Sequence, residues 1–543
     1  MMFMRSLDAP PTSLPAGPGG PPPASRVPGS GFSALRTRLF AAVTGHPAAC
    51  LAGLVLASLA VHALFAVTRS FGEQDAARIA NDALKALYGG SLHDPESSVY
   101  STPLYLDALR HALGWGLVSA GLIPTWMTVW SLVASAGITI AIFLFVRSLT
   151  HSVPIALTIA VLVQFNPAFF MFSIYGFPTV PAIALFLFSL VSFQHALEVR
   201  TRENKVTLLC LAFLLYLCAV MVKVDVVLAS AVFCLPVWVS SRPRKTKMIW
   251  TAGILLAALL SFGLFNLYVA HLLPSTGPGA AWSAHFRKFF AGAGALGEMS
   301  TWRPLVRAAG LLTMPLAVVA TGLIARRREG RALLLWLALA VLPSILYWGI
   351  LRGNSARHNL LPVIFLYLVL VLPLMGRGRV RWVWAGLLAI MLLVNYAAFM
   401  PSSDTVLPSG RLVESAILVK QRAARLHAVG RVIARLPHAK VAVIGEGWIH
   451  PYITYEVLQS EQYVRHAGSD APASPQELIV RDGGTEKDYL MLYDAPNMPR
   501  MLSLADEGYF LVIGDQSALA HAADYPPLAG KYVSLDSILA SVQ

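Results

Sequence analysis

Four short stretches carry the side chains that could do chemistry. "FGEQDAARIAND" (71–82) holds Glu73, Asp75 and Asp82, with Arg78 three residues after Asp75. "MVKVD" (221–225) places Lys223 and Asp225 inside an apolar run, and "LRGNSARHN" (351–359) groups Arg352, Arg357 and His358. "VYSTPLYLDALRHAL" (99–113) offers Tyr100 and Tyr105 with Asp107, Arg110 and His111. A carboxylate can take a proton from a reacting hydroxyl. Lysine and the arginine fork can hold a phosphate. On a helix, Asp75 and Arg78 share a face and pair locally, as do Asp107, Arg110 and His111. Lys223 and Asp225 stand at i, i+2 and do not face each other on a helix, so each is expected to need another partner.

The elements that must position these groups are membrane spans. The chain of 543 residues is 56% hydrophobic and 13% charged, with a mean hydropathy of +0.62; soluble domains carry about 25% charged residues. Apolar runs of about 20 residues recur, enough to cross roughly 30 Å of hydrocarbon. About eleven spans are predicted, near 47–68, 125–146, 152–171, 178–195, 207–222, 224–240, 248–271, 304–325, 332–350, 360–375 and 382–400. Segment 103–123, broken by Asp107, Arg110 and His111, reads as interfacial helix. The net charge of +14 lies in short basic clusters between runs, without the aromatic interleaving of a nucleic-acid surface. With the N-terminus in the cytoplasm, "EVRTRENK", "SRPRKTK", "ARRREGR" and "GRGRVR" all fall on the cytoplasmic side. The outer side then receives loop 69–124, a loop near 272–303, "LRGNSARHN" and everything beyond residue 400.

Residues 1–46 are Pro/Gly/Ser-rich, with no signal-peptide pattern, and are expected to be a disordered cytoplasmic N-terminus. Residues 401–543 change character. "HAKVAVIGEGWIHPYITYEVL" reads as strand, turn and helix, and "KDYLMLYDA" and "GYFLVIGDQ" as buried strands. A small extracytoplasmic (periplasmic) α/β domain is expected. Its "GEG" is a strand-to-helix turn rather than a nucleotide motif. Cys50, Cys210, Cys218 and Cys234 lie in apolar segments without metal-ligand spacing.

Threading puts Asp75 at the outer edge of the first span, where a carboxylate is costly unless paired or used. It puts Lys223, Arg352, Arg357 and His358 on the same side. Carboxylates facing cations at the outer hydrocarbon boundary point to chemistry on a lipid-linked anion. Over about residues 47–400 the layout resembles the GT-C superfamily of polyprenyl-phosphate-sugar-dependent glycosyltransferases, its protein O-mannosyltransferase-like and aminoarabinose-transferase-like members above all. "FGEQDAARIA" matches the acidic first outer loop, "YSTPLYLDAL" the interfacial helix, and "FNPAFFMFSIYGFPTVPAIALFLFSL" the Pro-containing exit and re-entry. "MVKVD" and "ARHNLLPVIFLYLVL" are similar to the segments that meet the lipid phosphate.

The resemblance implies a multi-pass enzyme of a bacterial cytoplasmic (inner) membrane, a hexosyl- or pentosyltransferase. Its donor is a polyprenyl-phosphate sugar in the lipid bilayer, and its acceptor belongs to the cell envelope. Asp75 is then the base, with Glu73 beside it. Lys223, Arg357, Arg352 and His358 hold the donor phosphate, supported by Arg78, Tyr100 and Tyr105. Relatives often carry a second acid in the turn after the third span, whereas "SIYGFPTVP" has none; Glu73, Asp94 and Glu96 are the alternatives. Carboxylates in outer loops can also ligate Mg²⁺ or Mn²⁺. The rival reading is a secondary transporter or flippase of a lipid-linked or anionic substrate, with Lys223 and Asp225 in a coupling site.

Overall fold

A computed structural model describes residues 45–66, 71, 74–88, 101–272, 305–306, 308–310, 312–326, 328–350, 356–376, 378–398, 424–445, 449–460, 462–467, 476–482, 485–492 and 496–542. The chain is mostly helical and ends in a small α/β region. Among the described residues, seven helices are long and apolar enough to cross a membrane. They lie in Pro47–Phe65, Ala120–Thr150, Thr179–Glu198, Arg202–Val222, Arg244–Leu272, Gly330–Tyr347 and Arg357–Met375. An eighth forms if Val153–Gln164 and Pro167–Ile174, bent by 62°, make one broken span. Outward faces stay apolar: Leu64, Leu256, Leu259, Val318 and Leu393 are exposed. That is an exterior suited to lipid rather than water.

Proline stands in the first turn of many of these helices, as at Pro47, Pro103, Pro124, Pro154 and Pro167, where its missing N–H costs nothing. Pro167 also explains the bend. It cannot continue the helix that ends at Gln164, and the Asn166 side chain restarts the chain by accepting from the Phe169 N–H at 2.8 Å. Two of the expected spans are built differently. Segment 224–240 is a 3-10 stretch, Val224–Phe233, followed by the short helix Cys234–Val239. Segment 304–325 turns at Gly310 and leaves only Thr313–Ala325 as a regular helix of the later half. Segment 103–123 is the short helix Pro103–Gly114, followed by a 3-10 turn at Ala120–Leu122, not a span.

The C-terminal sheet has the order β2-β3-β4-β1-β5-β6. β1 (Lys440–Ile444) runs parallel to β4 (Thr485–Leu492) and β5 (Phe510–Ile513), and β5 runs parallel to β6 (Tyr532–Ser534). β2 (Gln462–Ala467) and β3 (Gln476–Asp482) form an antiparallel flank. Of the strand, turn and helix expected around "GEG", the strand is β1, followed by Gly445 at φ +76°, and the helix is His450–Ser460; Glu446 and Gly447 lie outside the described residues.

Val441, Ala442, Val443 and Ile444 are all buried, as central parallel strands covered on both faces must be. One face packs under Met501, Leu504 and Ala518. The other joins the main core through Ile449, Tyr452 and Ile453, continuous with Ala76, Ala77, Ile79, Ala80, Ala83 and Leu84 of the helix Gln74–Leu87. The C-terminal region therefore packs on the very helix that carries Asp75. Alanines dominate the buried face of that helix, letting the two helices approach closely.

Candidate functional site

Asp75 opens the helix Gln74–Leu87, where the exposed N–H groups of the first turn favour a carboxylate. Arg357 lies 282 positions later, in the 3-10 turn Ala356–Asn359 that leads into Leu360–Val371. Its guanidinium Nη2 donates to Asp75 Oδ2. The segment Arg357–Met375 is the most enclosed of the candidate spans, with 83% of its apolar window buried against 11% for Pro47–Phe65, so the arginine enters at the centre of the helix array. Its guanidinium also lies over the Phe177 ring, 4.9 Å from the centroid. Arg78, expected to pair with Asp75, does so at a looser 3.8 Å.

The chain of polar contacts continues past Arg357. Its Nε donates to His358 Nε2 at 3.3 Å, so that nitrogen must offer a lone pair and the imidazole proton sits on Nδ1. Nδ1 faces Asp225 Oδ2 at 3.2 Å. Asp225 in turn lies 3.6 Å from Lys223 Nζ. This last pair corrects the expectation that Lys223 and Asp225 cannot meet. The helix Arg202–Val222 stops, and Lys223 is extended at φ −156°, ψ 108° before the 3-10 stretch. An i, i+2 pair excluded on a helix is brought onto one side by that break. Both groups are largely buried, at 8% and 14% side-chain exposure, so neither is a snorkelling surface charge.

Burial pushes the Asp75 carboxyl up, but Arg357, Arg78, Lys223 and His358 outweigh it, and the net direction is down. Asp75 is thus an ionised carboxylate held among cations. His450, in the C-terminal region, is pushed down to about 4 by burial, with Arg78 adding to the effect, and stays neutral.

The structure brings together Asp75, Arg78, Lys223, Arg357 and His358. Glu73, Tyr100 and Arg352 lie outside the described residues, as do Asp94 and Glu96. Tyr105 packs its ring edge-on against Trp126, and its buried hydroxyl has no hydrogen-bond partner among the described residues. Asp107, Arg110 and His111 pair locally, Arg110 at 2.6 Å and His111 at 3.6 Å, and Tyr268 donates to Asp107 at 2.6 Å. Sequence reasoning missed Phe177, although it sits in the quoted turn "SIYGFPTVP", and left Asp225 out of the site. It also missed two polar networks inside the helix array. Gln164 accepts from Ser58 at 2.6 Å and Ser135 at 3.1 Å, and His62 holds the Ser58 carbonyl at 2.7 Å. Asn166 donates to Tyr367 Oη at 2.7 Å and to the Ala308 carbonyl at 2.8 Å. Isolated polar residues in apolar runs were the available signal.

Among the described residues no three His, Cys, Asp or Glu side chains gather to hold an ion, and the Asp75 carboxylate already faces arginines. No family model matches the sequence, and no curated protein matches it either.

Proposed function

We propose that the chain is a membrane glycosyltransferase of GT-C type, with about eleven spans and an extracytoplasmic C-terminal domain. It moves a sugar from a polyprenyl-phosphate donor to a cell-envelope acceptor on the outer side of a bacterial cytoplasmic membrane. The observation that carries this reading is the continuous polar chain Asp75–Arg357–His358–Asp225–Lys223 at the ends of apolar helices. A base and a set of anion-binding cations from distant segments meet in one place.

In this reading the acceptor oxygen attacks the anomeric carbon from the face opposite the phosphate. The new oxygen–carbon bond forms as the carbon–oxygen bond to phosphate breaks, with inversion. Asp75 takes the acceptor proton, and the phosphate leaves with the electron pair. Arg357 and Lys223 stabilise the charge that develops there. Phosphate leaves readily as an anion, so the reaction asks less of a general acid than of a base.

The test is transfer of labelled sugar from polyprenyl-phosphate donors into membrane extract by purified protein. Asp75→Asn is expected to lower transfer by about 10²–10⁴-fold. Transfer unchanged in that variant removes Asp75 as the base. Movement of donor across sealed vesicles with no new covalent product would instead identify a flippase.

A further inference from the structure

Asp75 sits at the start of a helix, and Phe71, just before that helix, is held from the C-terminal region. The Phe71 N–H, four residues before Asp75, donates to His427 Nε2 at 3.1 Å. The other ring nitrogen of His427, Nδ1, lies 2.6 Å from Glu456 Oε1. Both partners are buried, with 5% and 8% side-chain exposure. The geometry fixes the proton. A backbone N–H needs a lone pair on Nε2, so Nδ1 carries the hydrogen and gives it to the carboxylate. Aromatic rings close around the pair: Phe71 5.4 Å, Tyr452 5.5 Å and Tyr455 5.5 Å from the His427 ring. Two further bonds tie the same surfaces. Asn81 Nδ2 donates to the Pro451 carbonyl at 2.8 Å, and Tyr455 Oη donates to the Ala120 carbonyl at 2.5 Å.

We propose that His427, oriented by Glu456, is a positioning residue through which the C-terminal region sets the place of Asp75. The arrangement follows the logic by which a carboxylate orients a histidine whose far nitrogen then acts on something else. Here the far nitrogen grips backbone rather than metal or substrate. Glu456 lies on the helix His450–Ser460, and His427 on the helical stretch 424–434, so two elements of the C-terminal region converge on one amide. Gly430 keeps the stretches close, since a Cβ there would stand 2.9 Å from Glu456 Cγ. The consequence for the site rests on the proposed role of Asp75; the positioning itself does not.

Hydrogen exchange on the full-length protein in nanodiscs separates the two. In His427→Ala the peptide spanning 71–88 is expected to exchange roughly tenfold faster, the factor a buried hydrogen bond of this kind is worth. His427→Gln, whose amide oxygen can take the Phe71 N–H, is expected to restore protection to within about twofold of wild type. Glu456→Gln, which frees the other tautomer, is expected to fall between them.

Unchanged exchange of 71–88 in His427→Ala overturns the proposal, and so does His427→Gln exchanging as fast as His427→Ala. If His427→Ala also loosens β1 and β5, the glutamine variant decides: recovered protection supports positioning, and none overturns it. Where transfer activity is found, His427→Ala is expected to lower kcat with KM little changed, and His427→Gln to recover it. An absence of transfer in the wild type would remove the enzyme reading and leave the exchange result standing.

Discussion

Between Arg357 and Arg78, Asp75 gains more from its cations than burial takes away, and its folded pKa lies below the ordinary carboxylate value. Stability from this ionised group is therefore fully present above the unfolded value of about 3.9 and is lost as pH falls through the lower, folded value. The gap in unfolding midpoint between wild type and Asp75→Asn should hold constant from about pH 8 to about pH 5 and close below about pH 4. A gap that closes near neutrality would contradict the pairing. Asp225 makes a second prediction. Its removal as Asp225→Asn leaves Lys223, buried at 6% exposure, without its carboxylate. The expected cost is about 3–5 kcal/mol, read as a lower unfolding midpoint in detergent. Residue types in this cluster were legible in the sequence, because charges in apolar runs demand partners. The pairings were not: Lys223 with Asp225 depends on the extended backbone at Lys223, and span boundaries at 222 and 224 do not say how the two side chains are turned.

The break at Lys223 belongs to a set of interruptions that aim side chains at the cluster. The turn after Pro167–Ile174 holds Gly176 at φ +74°, followed by Phe177, the ring beneath Arg357. A Cβ on Gly176 would lie 2.8 Å from the Thr128 backbone nitrogen and 2.9 Å from the Met127 carbonyl carbon. Gly176→Ala is expected to cost about 1–3 kcal/mol for the backbone conformation alone, with displacement of the helix Ile123–Thr150 in addition. An unchanged midpoint would show that the turn has room. The sequence marks this place plainly, with Gly and two prolines between apolar runs. What it conceals is which side chain the turn delivers. Span number suffers in the same way: composition recognises apolar length, whereas Asn166 with Pro167 bends one run and Gly310 cuts another short.

At the scale of the whole molecule the helices and the C-terminal sheet share one apolar core, and a hydropathy profile has no means of showing that. Strand, turn and helix beyond residue 440 were readable from alternation and Gly; their seat on Gln74–Leu87 was not, because the contact joins segments with nothing local in common. Orientation is open to direct measurement. Under the proposed topology, Ala523→Cys, on an exposed face of the helix Gln516–Ala523, should react with a membrane-impermeant thiol reagent added to intact cells. Labelling only after lysis would reverse the topology and move the cluster to the cytoplasmic side.

The hydrogen bond from Asn81 to the Pro451 carbonyl spans 370 positions of sequence. A ribosome adding about 5–20 residues per second makes Pro451 roughly 20 to 70 seconds after Asn81. For most of that interval Asp75 exists without Arg357, and for all of it without the helix that covers its own. The helix Gln74–Leu87 therefore waits for its cover until Pro451 and its neighbours have been made. A stop codon between the codons for Arg357 and Pro451 would then leave the Asp75–Arg357 pair formed but its helix uncovered.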